Sequence, residues 1–325
     1  MEPVARALVL AGGGLTGIGW EVGVLAGLAA EEVEPGATAD LIIGTSAGSV
    51  VGARVAQGAD LEALFAEQLA DAGTERAASI DGDAVTEIFE AMLSADGDPG
   101  ERHRRVGALA LAAETIPEEE RLAVVAARLP DRAWPARRLQ VVAVDAVSGE
   151  TALFDADSGV PLVEAVAASC AVPGIWPPTT IGDRRYVDGG VRSPDNADLA
   201  AGFDRVLVLV PMRMDVAAVP RLEETGSVAV VYPDDEALMA MGPNPLDPAF
   251  RAAAARAGRE QAAALAVDIA EFWADCADRL NSPVAGCRRR RPGGRPRPGG
   301  SASPWPERRP RHAGASSGMR RARPD

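Results

Sequence analysis

Two apolar runs, each ending in glycine and each followed by residues that suit a helix, constrain the N-terminal part of this chain more than any other feature. Val4 to Leu10 runs into Ala11-Gly12-Gly13-Gly14, and Trp20 to Ala30 then carries apolar residues at helical spacing. Leu41 to Ile43 runs into Gly44-Thr45-Ser46-Ala47-Gly48, and small residues continue to about Gln57. Short apolar runs bounded by glycine read as buried strands. Strand, loop, helix, strand, tight turn, helix specifies a parallel α/β sheet.

From Leu61 to Leu129 the periodicity is helical, with helices predicted near Leu61 to Asp71, Ala84 to Leu93 and Glu118 to Leu129. This segment reads as an inserted helical cap. Strands are predicted again at Leu139 to Val144, Thr151 to Phe154, Arg185 to Val187, Arg205 to Val210 and Val228 to Val231, and a helix-rich stretch from Pro248 to Leu280 closes the domain. After Asn281 the sequence turns to Arg, Pro and Gly, too poor in apolar residues to pack and too rich in Pro and Gly to persist as a helix. Residues 1–281 are therefore expected to form one domain with a helical insertion at about 61–129. Residues 282–325 are expected to be a disordered Arg/Pro/Gly-rich tail, solvated rather than an arm for lipid or nucleic acid.

The net charge of −14 is unevenly spread. Residues 282–325 hold 12 Arg against Glu307 and Asp325, which leaves 21 Arg and 45 acids in residues 1–281. A body that acidic repels nucleic-acid phosphates, so no nucleic-acid partner is expected for it. Cys170, Cys276 and Cys287 are odd in number and lack metal-ligand spacing, so neither a disulfide framework nor a metal site is expected. The N-terminal residues lack the pattern of a secretion signal and no apolar run reaches 18 residues. A cytoplasmic protein is expected, with at most peripheral, transient contact at a membrane surface.

Gly44-x-Ser46-x-Gly48 fits the turn in which a nucleophilic serine is presented between a strand and a helix, where Gly44, Ala47 and Gly48 supply the small neighbours it needs. The free N–H groups and dipole of the following helix favour the negative charge that develops near Ser46. The chain has only two histidines, His103 and His312. His103 lies in the charged stretch Glu101-Arg102-His103-Arg104-Arg105, read as solvated, and His312 lies in the tail, so neither suits a Ser-His-Asp triad. The best remaining base is Asp188 in Tyr186-Val187-Asp188-Gly189-Gly190, where Gly189 and Gly190 let the chain turn sharply beside the carboxylate. An aspartate in water has a pKa of about 3.9 and is a poor base for an alcohol, so the site must be partly desolvated. The glycine run at Gly12 to Gly17 exposes backbone N–H groups that suit an oxyanion. It also satisfies a dinucleotide fingerprint, but the second strand ends in Gly44-Thr45-Ser46 where that fold needs a ribose-binding acid.

The glycine loop, the Gly-x-Ser-x-Gly turn about 30 residues later and the distant Asp-Gly-Gly, taken in that order, resemble the patatin-like phospholipases. The stretch Ala168 to Pro178 leading into Arg185 to Gly190 is similar to the segment before that family's aspartate, and the likeness covers roughly Ala7 to Val210. It implies a three-layer α/β/α fold with a mainly parallel central sheet. It implies hydrolysis of lipid acyl esters by a Ser46–Asp188 dyad without cofactor or metal, with Gly12, Gly13, Gly14 and the N–H of Leu15 lining the oxyanion hole. Many members carry a basic residue where this chain has Thr16. The same scaffold also allows an acyltransferase, a short-chain esterase or a non-enzymatic lipid-binding protein.

Overall fold

In the computed structural model, residues 4–71, 78, 82–93 and 97–274 are described. The expectations for the tail, for His312 and for Cys276 and Cys287 fall outside them. Strand β1 (Arg6–Leu10) enters helix α1 (Gly14–Ala30), and after the single turn α2 (Pro35–Thr38) strand β2 (Leu41–Thr45) enters α3 (Ala47–Ala56). Helices α4 (Leu61–Leu69), α5 (Asp83–Leu93), α6 (Pro99–Ala112) and α7 (Glu118–Arg128) follow. The chain returns through β3 (Leu139–Asp145), β4 (Thr151–Phe154), α8 (Leu162–Ser169), β5 (Thr179–Ile181) and β6 (Arg184–Asp188). It closes with β7 (Arg205–Leu209), α9 (Val219–Leu222), β8 (Ser227–Val231), α10 (Asp235–Met241) and α11 (Arg251–Trp273). Among the described residues no helix is long and apolar enough to cross a membrane.

The sheet runs β5-β6-β3-β2-β1-β7-β8, with β4 paired to β3. The β3-β2-β1-β7-β8 portion is parallel, whereas β4 and β6 pair antiparallel with β3, and β5 antiparallel with β6. Side chains alternate across it with the period of two that a strand imposes. Leu8, Leu10, Ile42, Leu207 and Leu209 enter the core on one face. Ala7, Val9, Ile43, Val206 and Val208 enter the core on the other. Helices cover both faces, which gives three layers.

The helices between Leu61 and Arg128 do not form a single cap. Leu64 of α4 and Val125 of α7 join the core of the first face. Ile88 and Ala91 of α5 and Val106 and Ala110 of α6 pack instead on Val144 and Val187, on the second face. Helix α6 lies within the stretch expected to be helical but is not among the helices expected individually. Its buried residues His103, Val106, Gly107 and Ala110 recur at helical spacing, but the charged residues between them mask the pattern.

Helix α1 begins at Gly14, six residues before the predicted start, because its glycines are packing residues rather than loop residues. Side chains at Gly19 or Gly23 would strike the backbone oxygens of Arg251 or Ala255, so α1 and α11 lie nearly backbone to backbone. Trp20 is buried in this contact and donates its indole N–H to Gln261 at 3.0 Å.

On α1, Glu21 is buried and neither carboxylate oxygen has a hydrogen-bond partner. Burial holds its carboxyl well above the usual carboxylate range, with the nearby Ala11 N–H opposing the shift. The unfolded chain ionises this group above pH ~4.3, whereas the fold retains the proton, so stability is lost as pH rises beyond that point. Glu21→Gln keeps the size and removes the titration. In thermal melts, the stability of the variant relative to wild type should increase between pH 4 and pH 8; a difference independent of pH would contradict this.

Candidate active site

The register of β3 brings the two sequence-predicted residues together. Strand β4 takes one edge of β3 over Val141 to Val144, so β2, paired up to Val142, and β6, paired from Ala143, share the other edge. Strand β2 runs parallel to β3 and ends with Thr45 opposite Val142; β6 runs antiparallel and ends with Asp188 opposite Ala143. Their C-terminal ends therefore meet head to head, and the next residue of β2 is Ser46.

Ser46 has φ 51° and ψ −116°, a backbone region that a residue with a side chain rarely occupies and that costs about 1–3 kcal/mol. Hydrogen bonds hold it there. Its N–H donates to Ser169 Oγ at 2.9 Å, and its carbonyl accepts from Ser49 Oγ at 2.7 Å and from Cys170 Sγ at 3.2 Å. The glycine of the turn is needed for space as well. A side chain on Gly48 would lie 2.0 Å from Leu10 O, so α3 passes over the end of β1 only because that position is bare. Ala47 opens α3, whose dipole places about half a positive charge next to Ser46. Cys170 is a buried thiol, and burial raises its pKa.

Asp188 is buried. Its Oδ1 accepts the N–H of Gly190 at 2.7 Å within the tight turn Gly189–Val191, while Oδ2 has no hydrogen-bond partner. Burial pushes the carboxyl up to about 6, opposed by the Gly190 N–H, the Ser46 hydroxyl and the charge of Arg121. The Ser46 hydroxyl is thus close enough to act on the carboxyl electrostatically, although no hydrogen bond closes between them. An aspartate so perturbed is neutral in moderate acid and a much stronger base than one in water.

The glycine loop divides. The N–H of Gly12 donates to Pro194 O at 2.9 Å, so it is not available to an oxyanion, contrary to the expectation for that residue. Among the described residues, those of Gly13, Gly14 and Leu15 find no hydrogen-bond partner, as expected at the open start of α1. Gly14 has φ 64° and lies against Pro245 O, so a side chain there meets both strain and collision. Gly14, Leu15, Ser46 and Ala47 line one small pocket with Arg121, Arg128 and Trp176. Leu15, Ile18 and Arg128 also line an adjoining cavity of about 210 Å³, whose wall is aliphatic at Val22, Val50, Val51 and Leu64 and polar at Arg54, Glu67, Gln68 and Arg251.

Two residues escaped the sequence reading. Asn196, buried with φ 53°, donates its amide to Thr45 Oγ1 at 2.9 Å, Ser193 O at 2.8 Å and Gly189 O at 3.2 Å. Its Oδ1 accepts from Arg192, which also pairs with Asp198. With Pro194 O on Gly12, the segment from Ser193 to Asn196 joins all three motifs. Asn tolerates positive φ, but nothing in the local sequence signals the long-range bond to Thr45. Arg121 is the other, 4% exposed with its guanidinium 4.1 Å from the ring centre of Trp176. His103 is buried rather than solvated. Its Nδ1 lies 3.1 Å from Gly149 O, which can only accept, so Nδ1 carries the hydrogen, and burial lowers the ring's pKa. It belongs to α6, on the face of the sheet opposite to the core that holds Tyr186, the residue two before Asp188. Among the described residues no cluster of His, Cys, Asp and Glu could hold a metal ion.

The family model for patatin-like phospholipases matches residues 8–201, which span the glycine loop, the Ser46 turn and the Asp188 turn. The chain belongs to the patatin-like phospholipase family. Among solved structures, VipD from Legionella pneumophila is similar with a TM-score of 0.43 and 14% identity, over 82% of this chain and 67% of that one. The type III effector protein ExoU is similar with a TM-score of 0.38 and 17% identity, over 82% of this chain and 53% of that one, so this chain spans about half of its length. No curated protein sequence matches the chain. The patatin-like match ends at residue 201, so β7, β8 and α11 lie beyond it.

Proposed function

We propose that the chain is a lipid acyl hydrolase that cleaves carboxylic esters in the manner of a phospholipase A, with Ser46 as nucleophile and Asp188 as its base. One observation carries the reading. A buried carboxylate, with one oxygen unpartnered and its pKa raised to about 6, sits at the strand end that faces a serine held in a strained turn. Family membership supports lipid esters as the substrate class, and the aliphatic residues Leu15, Ile18, Val22, Val50 and Val51 of the adjoining cavity offer contacts to an acyl chain.

In this mechanism Ser46 Oγ attacks the acyl carbonyl carbon while its proton passes to Asp188 Oδ2. The N–H groups of Gly13, Gly14 and Leu15 receive the charge that develops on the carbonyl oxygen. As the tetrahedral adduct collapses, the ester C–O bond breaks and Asp188 returns the proton to the leaving oxygen. Water then attacks the acyl-Ser46 ester, Asp188 takes its proton, and Ser46 Oγ recovers a proton as the acid leaves. Every proton is carried by Asp188, and no step is assigned to a metal or cofactor. Gly44 and Gly48 serve the turn, and Gly189 and Gly190 the position of the carboxylate. The substrate is a lipid or acyl ester met in transient contact with a membrane surface.

The base must be ionised to work, so kcat/KM for a soluble ester should rise with pH along a one-proton limb centred near 6, the value burial gives Asp188. A panel of phospholipids and simple esters assayed from pH 4.5 to 8 tests both substrate class and base. Activity that is flat across this range, or confined to non-lipid substrates, would contradict the reading.

A further inference from the structure

We propose that Asn196 is a positioning residue for the dyad, holding the strand end that presents Ser46 against the turn that follows Asp188. The inference rests on the hydrolase reading of Ser46 and Asp188. The side-chain amide of Asn196 donates to Thr45 Oγ1 and to Gly189 O, which belong to the residue before the nucleophile and the residue after the base. It therefore spans the junction at which β2 and β6 meet end to end. Both strands pair with β3 rather than with each other, so the ladder alone leaves that junction open.

The orientation of the amide is fixed. Asn196 Oδ1 accepts from Arg192 at 2.7 Å, and a guanidinium can only donate, so the nitrogen is the atom turned to Thr45 and Gly189. Arg192 is itself held by Asp198 through two parallel bonds of 2.8 and 2.5 Å. With Ser193 O as a third acceptor at 2.8 Å, this fully buried amide has both its polar atoms partnered, and a satisfied buried network rigidifies what it joins. Asn196 works from behind the reacting groups. Thr45 falls on the face of Ile43, whose core also takes Ala197 and Ala200, whereas Asp188 alternates with Tyr186 on the other face. Asn196 has no exposed surface with which to meet substrate, so its contribution is the placement of Ser46 against Asp188. The same segment ties in the glycine loop, through Pro194 O on the Gly12 N–H.

The test measures kcat and KM for a soluble ester in the full-length protein, with kcat expressed per reactive serine counted by exhaustive fluorophosphonate labelling. Two variants break the bridge from opposite ends. Asn196→Gly removes the amide while tolerating φ 53°, and Thr45→Val removes the hydroxyl while keeping a β-branched residue in β2. Each should lower kcat by about tenfold to a hundredfold and leave KM within about threefold, the scale set by misplacing a reacting group by ~1 Å. Thr45→Ser keeps the hydroxyl and should retain most of the rate that Thr45→Val loses; should Asn196→Gly fail to fold, this pair decides alone. The double variant should fall little below Asn196→Gly, because both changes remove one bond. A kcat per reactive serine within about threefold of wild type in the folded single variants would leave Asn196 to the fold alone and overturn the proposal, as would equal losses in Thr45→Ser and Thr45→Val. A wild type that hydrolyses no ester, or does so equally well as Ser46→Ala, would overturn the hydrolase reading and the positioning role with it. Hydrolysis that depends on Ser46 but not on Asn196 or Thr45 would overturn the positioning role alone.

Discussion

Ser46→Ala is expected to lower ester hydrolysis by at least about a thousandfold, a loss of about 4 kcal/mol of transition-state stabilisation, while the protein stays folded. The size of the effect follows from the covalent role, because without Oγ there is no acyl intermediate and water must attack unaided. The fold should tolerate the change. Ser46 is tethered through its N–H and carbonyl, to Ser169, Ser49 and Cys170, and the substitution leaves all three contacts in place. Alanine meets the same backbone strain as serine at φ 51°. Hydrolysis near the wild-type rate in purified, folded variant would end the proposal.

Asp188→Asn should fall nearly as far, by roughly 10²- to 10⁴-fold, the range expected on losing a general base. Asn can still accept the Gly190 N–H through Oδ1, so the turn is preserved, but it presents an amide donor where Ser46 needs an acceptor. The double variant should lose little beyond either single one, since groups that act as a unit are strongly non-additive. Stability should move the other way. The unfolded carboxyl ionises near pH ~3.9, whereas burial holds the folded one at about 6, so the folded state is increasingly disfavoured as pH rises between these values. Above pH ~6 the wild type carries up to ~3 kcal/mol of this penalty, and Asn removes it. A melting temperature raised at pH 8 and nearly unchanged at pH 4, together with lost activity, separates a disabled base from a damaged fold. Full activity in Asp188→Asn, with loss on His103→Ala, would instead demand a histidine base.

Much of this site can be read in the chain because the three motifs are local. Ser46 and the glycine run lie in the few residues after a strand and Asp188 is the last residue of one, and glycine marks the sharp turns there. Their meeting is less legible. It depends on β2 and β6 sharing one edge of β3, end against end, which is a matter of register between strands about 140 residues apart. The glycines of α1 misled in the opposite direction, since composition alone does not distinguish a loop glycine from one that admits α11 at close range. Gly12 reads as an oxyanion donor until the Pro194 carbonyl is seen to take its N–H. Asn196 and Arg121 work through partners far away in sequence, and His103 is buried by a helix whose charged residues conceal its apolar face.

The central claim is that Ser46 is a nucleophile activated by Asp188. It is tested most directly by the rate at which a fluorophosphonate labels the protein, followed against pH and mapped by peptide mass spectrometry. The label should reside on Ser46, its rate should rise along a limb centred near pH 6, and Asp188→Asn should slow it by roughly a hundredfold or more. Labelling at another residue, or labelling of Ser46 that proceeds in Asp188→Asn at the wild-type rate, would contradict the dyad.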